Sequence, residues 1–202
     1  MIQPTKIIAI GLNYHDHARE LNMTVPDCPL VFLKPPSSVI GSGESIICPP
    51  QTEELHYEGE LAVLIKDRVR NVSAEEATRH IAGYTCANDV TARDLQRKDG
   101  QWTRSKSFDT FCPLGPRVVS DIDPTECELV TRVNGVIKQH LNTNNMIFNV
   151  YELVSYVSGI MTLMPGDVII TGTPPGVGPI RVGDEVEVEI EGIGVLRNTV
   201  QR

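Results

Sequence analysis

The sequence is short of several things, and each shortage removes a class of function. Basic residues are outnumbered, 18 against 26 acidic, which leaves a formal net charge of -8. That balance argues against a nucleic-acid backbone as partner, although a local site can reverse the global sign for a small anion. No run of about 18 apolar residues occurs, so no membrane span is expected. The opening stretch "MIQPTKIIAIGLNYHDH" has no basic region followed by a long apolar run, so no signal peptide is expected either. Cys28, Cys48, Cys86, Cys112 and Cys127 are widely spaced and form no Cys-x-x-Cys pair. This argues against a zinc knuckle, and an odd count suits reduced thiols in a cytoplasmic protein. There is no Gly-x-Ser-x-Gly, hence no nucleophile elbow. "TGTPPGVGP" has no clear helix behind it and fits neither a phosphate-loop nor a dinucleotide fingerprint. With no repeat, low-complexity segment or sustained charge run, the chain reads as a single domain over residues 1–202.

What is present is mostly short strands. "KIIAIG" and "LVFLKP" are apolar runs ended by Gly or Pro. "LAVLI" (Leu61 to Ile65) reads as a strand buried on both faces. Asn134-Gly135 sits between two β-prone runs and signals a tight hairpin. "DEVEVEIEG" alternates strictly, with one face wet and one packed. Two helices stand out. Ser73 and Glu76 form a capping-box pattern ahead of "AEEATRHIAG", with Gly83 as its stop. Asn149 caps "VYELVSYVSGIM", where Leu153, Val154, Val157 and Ile160 recur at helical spacing. Many strands with few helices, not in regular alternation, imply an α+β fold.

Glu58 and Glu60 directly precede the apolar run "LAVLI". On one strand they point the same way, with His56 behind them. Two like charges near a core repel and lose hydration, so they protonate, pair with basic side chains or hold a cation. Asp89 ends a similar half-apolar run. Three carboxylates without a Cys–His cluster favour a hard divalent ion, Mg²⁺ or Mn²⁺. The plainer alternative is a solvated edge strand, as in Glu185, Glu187 and Glu189; from spacing alone both readings stay open. In "NYHDHARELN", a helix puts His17 and Glu20 at i, i+3, where a carboxylate can orient an imidazole as a base; a solvated polar helix is the alternative. Lys106, near Trp102, Phe108 and Phe111, can bind a substrate carboxylate or simply snorkel to water.

The ordered set "GLNYHDHARE", "FLKPPSSVIG", "HYEGELAVLI", "AGYTCANDVTARDLQ", "QWTRSKSFDTFCPLGP" and "PGDVIITGTPPGVGP" resembles the fumarylacetoacetate hydrolase family and covers nearly the whole chain. The resemblance implies a mixed β-sheet roll, a homodimer, and one divalent metal per subunit on Glu58, Glu60 and Asp89. It makes His17 and Glu20 the water-activating pair and Lys106 a contact to the substrate's carboxylate or oxyanion. It casts Arg93, Gln96 and Thr173 as substrate contacts. The implied substrate is a small 2-oxo acid, reacting through an enolate. Hydrolysis of the C–C bond of an acylpyruvate is the first reading. The alternatives are an isomerase or decarboxylase of hydroxymuconate-type diacids or oxaloacetate, and a non-catalytic metal-binding relative.

Overall fold

The structure is a computed structural model and describes residues 3–202. In chain order its strands are β1 (Ile7–Gly11), β2 (Leu30–Lys34), β3 (Val39–Ile40), β4 (Ser45–Ile47), β5 (Leu55–Tyr57), β6 (Gly59–Ile65), β7 (Ile81–Asn88), β8 (Thr91–Ala92), β9 (Cys112–Val119), β10 (Glu128–Val133), β11 (Val136–Asn142), β12 (Val168–Ile170), β13 (Gly178–Ile180), β14 (Glu185–Ile190) and β15 (Gly194–Gln201). The helices are α1 (His15–Glu20), α2 (Ala74–Ala77), α3 (Arg93–Asp99), α4 (Thr103–Lys106) and α5 (Val150–Ile160). None of them is long and apolar enough to cross a membrane.

The strands form three sheets. A seven-stranded mixed sheet runs β2-β1-β12-β6-β7-β9-β3, a five-stranded sheet runs β11-β10-β14-β15-β4, and β13-β5-β8 form a small third. Strand β6 lies at the centre of the first and is buried along its whole length, as its unbroken apolar run requires. Its Leu61, Val63 and Ile65 join Leu129, Val188, Ile190 and the apolar face of α5 in the main core. Ala62 and Leu64 point the other way, onto Ile7, Ala9, Val168 and Ile170. Each Leu, Ile or Val so buried contributes about 1.5–3 kcal/mol relative to exposure.

Several local expectations hold. Asn149 caps α5 by accepting from the Tyr151 and Glu152 amides. The β10–β11 turn places both Asn134 (φ 51°) and Gly135 (φ 75°) in the left-handed region, as a tight primed turn demands. β14 alternates as its pattern predicts, and its outward Glu187 and Glu189 pair with Arg197 and Arg132. The five cysteines are free thiols, with burial pushing Cys86 and Cys112 up to about 12.

One helix is shorter than expected. The Ser73–Glu76 capping box forms, but α2 is a single turn followed by a 3-10 turn at Thr78–His80. Gly83 is not its stop; it lies inside β7. A Cβ on Gly83 would stand 2.6 Å from the Val119 carbonyl oxygen, so glycine serves the close approach of β7 to β9. The pairing of Ile81–Asn88 with β6 wins over a short helix that has little to bury.

Asp167 ties β1 to the turn before β12. Its Oδ1 accepts from the Thr5 amide (3.1 Å), the Thr5 hydroxyl (2.7 Å) and the Lys6 amide (3.1 Å); its Oδ2 takes the Met164 amide (2.8 Å) and the Lys6 ammonium. Burial alone would raise this carboxyl, but Lys6 and Thr5 overcome it and hold it below its usual range. A lowered folded value contributes stability above the unfolded value of about 3.9, and that stability is lost as pH falls through the folded value. Asp167→Asn is therefore expected to cost about 2–3 kcal/mol at pH 7, the low end for a buried pair because Lys6 stays partly in water. Urea unfolding at pH 7 and pH 3 checks this: the gap between variant and parent shrinks in acid.

Candidate active site

The register of one antiparallel pair builds the floor of the site. Gly59 of β6 faces Asn88 of β7, so the residues just outside that pair, Glu58 and Asp89, are brought together. The Glu58 amide donates to Asn88 Oδ1 (2.9 Å) and the Asp89 amide to the Glu58 carbonyl (2.8 Å). Glu60, two residues on, brings its carboxylate to the same place. All three carboxylates are buried, and one oxygen from each lies within 4.8 Å of the others. Glu58 sits in the break between β5 and β6, so the two glutamates do not share one continuous strand as expected.

Two buried cations and a half-buried one answer the carboxylates. Lys106, at the end of α4, donates to Glu58 Oε2 (2.8 Å) and Asp89 Oδ2 (2.6 Å). Lys34, at the end of β2, donates to Asp89 Oδ1 (2.5 Å) and the Lys106 carbonyl (2.6 Å). Arg93, the first residue of α3, pairs with Glu58 Oε1 and donates to Gln96 Oε1 (2.5 Å). Lys106 is 2% exposed and does not snorkel; its Nζ stands 5.3 Å from the centre of the Phe32 ring. Burial would raise Glu58, yet Lys106 and Arg93 hold it at about 2. Burial opposes the charge of Lys106 too, but Asp89 and Glu58 raise it. Glu60 differs. Among the described residues no cationic side chain pairs with it, and its recorded donor is the Gly172 amide (2.7 Å). Burial, then Asp89 and Glu58, push it well above the carboxylate range. An oxygen-only donor set with one uncompensated carboxylate fits a hard divalent cation.

These groups open into a cavity of about 400 Å³, lined also by His17, Gln96 and Thr173. His17 Nδ1 meets Glu20 Oε2 at 2.9 Å, and the Gly176 amide donates to the same carboxylate at 3.2 Å. Glu20 thus stands behind the imidazole and does not line the cavity. An apolar wall of Leu21, Met23, Leu30, Phe32 and Trp102 faces the charged floor. Trp102 packs edge-on against Phe32, centroids 5.1 Å apart. A Cβ on Gly11 would lie 2.6 Å from the Trp102 ring.

Each candidate site residue named in the sequence therefore lines one cavity, except Glu20, which stands directly behind His17. Lys34 was missed. Its signal was there, a charge closing an apolar strand in "LVFLK", the same oddity that drew attention to Glu58 and Glu60.

The profile of the fumarylacetoacetate (FAA) hydrolase C-terminal family matches residues 6–201. An uncharacterized protein of Methanocaldococcus jannaschii is 61% identical over 200 residues, spanning 99% of this chain and 84% of that protein. A mitochondrial oxaloacetate tautomerase of Bos taurus is 47% identical over 98% of this chain and 67% of its own length. The crystal structure of a 5-carboxymethyl-2-hydroxymuconate delta-isomerase from Mycobacterium smegmatis superposes with a TM-score of 0.94, at 50% identity, over 100% of this chain and 80% of that one. The mixed, curled sheet with few short helices is thus shared architecture, and the chain belongs to the fumarylacetoacetate hydrolase C-terminal domain family.

Proposed function

We propose that this chain is a divalent-metal-dependent enzyme of small 2-oxo acids that works by proton transfer and enolate stabilisation, with hydrolysis of acylpyruvate-type β-diketo acids as its first reading. One observation carries the proposal: three buried carboxylates, one of them without a cationic partner, share a cavity floor with Lys106, Arg93 and His17. Glu58, Glu60 and Asp89 would hold one Mg²⁺ or Mn²⁺ ion. Such an ion supplies Lewis acidity toward a 2-oxo carboxylate. Glu20 fixes His17 through Nδ1 and leaves Nε2 as the base, taking a proton from water in hydrolysis or from substrate carbon in enolisation. Lys106 and Arg93 offset the negative charge of the bound acid and of its enolate. Gln96 holds the Arg93 guanidinium in place.

A second reading, tautomerisation, isomerisation or decarboxylation, needs the same enolate without an attacking water. The names of the tautomerase and isomerase relatives favour it. The family match over residues 6–201 supports one catalytic domain, and a homodimer, expected from the family likeness, is checked by sedimentation. The deciding experiment incubates the protein with acetylpyruvate, oxaloacetate and a hydroxymuconate-type diacid, each with Mg²⁺ and with chelator. Chelator-sensitive loss of acetylpyruvate supports hydrolysis. Chelator-sensitive change of oxaloacetate or the diacid alone supports the second reading. Turnover of none of them, with metal bound, leaves a non-catalytic binding protein.

A further inference from the structure

We propose that Gln139 is a positioning residue that fixes the hydrogen-bond polarity of the Thr173 hydroxyl, so that this hydroxyl meets the bound molecule as an acceptor only. The inference rests on the enzyme reading above and names a residue outside the cavity wall. Gln139 belongs to β11, in the five-stranded sheet, which lends no residue to that wall. It is 1% exposed and is the one buried residue of its strand.

The cause of its burial is local. The β10–β11 register passes from Thr131 facing Gln139 to Arg132 facing Ile137, which leaves Lys138 as an extra residue. A bulge of this kind re-aims the next side chain. The displaced Lys138 carbonyl oxygen is so close to Gly176 that a Cβ there would stand 2.2 Å from it. The hairpin therefore presses on the loop that follows Gly172, and Gln139 reaches in beside that contact.

Both ends of its amide are engaged, and both donors of the NH₂ are used. Oε1 accepts from the Gly59 amide (3.0 Å), and Nε2 donates to the Pro174 carbonyl (2.8 Å) and to Thr173 Oγ1 (2.8 Å). A backbone amide only donates and a carbonyl only accepts, so the orientation of the Gln139 amide is not free. Thr173 Oγ1, already accepting from Gln139, sends its own proton to the Gly59 carbonyl (2.9 Å). What remains on that oxygen is a lone pair. The Thr173 hydroxyl can receive a hydrogen bond from a water or from the hydroxyl of an enol; it cannot give one to a carboxylate. The same amide braces Gly59, the link between Glu58 and Glu60, whose Cβ would clash at 2.0 Å with Thr131 Oγ1.

Gln139→Glu keeps the oxygen for Gly59 and removes the donor to Thr173. The expected result is a fall in kcat/KM of about 10- to 100-fold, with Mn²⁺ affinity unchanged. In a Thr173→Val background the same substitution should cost less than about threefold more, because both act through one hydroxyl. Turnover at the parent rate, or losses that simply multiply, would overturn the assignment. Gln139→Leu serves if the buried carboxylate prevents folding. Should the parent turn over no 2-oxo acid, the enzyme reading fails, and hydrogen exchange judges Gln139 alone. Release of the Gly59 amide in Gln139→Leu then supports the brace, and unchanged protection sinks it.

Discussion

Glu60→Gln is expected to lose divalent-ion binding by more than about 100-fold, and turnover with it, while leaving the ion-free chain at least as stable as the parent. Loss of a mere supporting partner typically costs 10–100-fold in metal affinity, and removing a ligand should cost more. The stability half follows from the sign of the shift. Glu60 is raised by burial, Asp89 and Glu58, so ionising it in the folded chain costs free energy as pH rises through its folded value. Glutamine keeps the shape, can still accept from the Gly172 amide, and turns an NH₂ donor toward its acidic neighbours. Asp89→Asn should behave differently. Asp89 receives both Lys34 and Lys106, and weakening a buried network of this kind costs about 3–5 kcal/mol. Calorimetric titration with Mn²⁺ and thermal unfolding in chelator separate the two variants. A Glu60→Gln protein that binds Mn²⁺ like its parent would remove Glu60 from the ligand set.

His17→Ala is expected to keep the ion and lose about 10²- to 10⁴-fold in hydrolysis, the usual worth of a positioned base. The imidazole makes no hydrogen bond or ion pair with the carboxylate trio; its partner is Glu20. Glu20→Gln should fall less, since the imidazole remains and only its orientation loosens. Stopped assays of the three 2-oxo acids with bound Mn²⁺ quantified in parallel read this directly. Unchanged acetylpyruvate hydrolysis in His17→Ala would remove the base. Selective loss of enolisation would instead place the proton transfer on substrate carbon.

Much of this architecture was legible because its causes are local. The Asn134-Gly135 turn, the Asn149 cap and the alternation of β14 each depend on residues a few positions apart. The three carboxylates were legible as an anomaly, because charge beside a core run needs a partner. The partners themselves were not. Lys34 and Lys106 stand 55 and 17 positions from Asp89, and nothing in "FLKPP" or "RSKSF" states that both ammonium groups turn to one aspartate. Family likeness brought Lys106 to the site, where spacing alone left it free to snorkel. The helix after Ser73 was overextended because its cap was read without weighing the pull of β6 on Ile81–Asn88.

The narrow clearance between Gly11 and Trp102 makes the end of β1 a gauge for the bore of the cavity. With only a hydrogen at position 11, the indole lies flush against the strand. A methyl there would force the ring off its seat beside Phe32. Both residues line the cavity, so its width at this end is set between those two places.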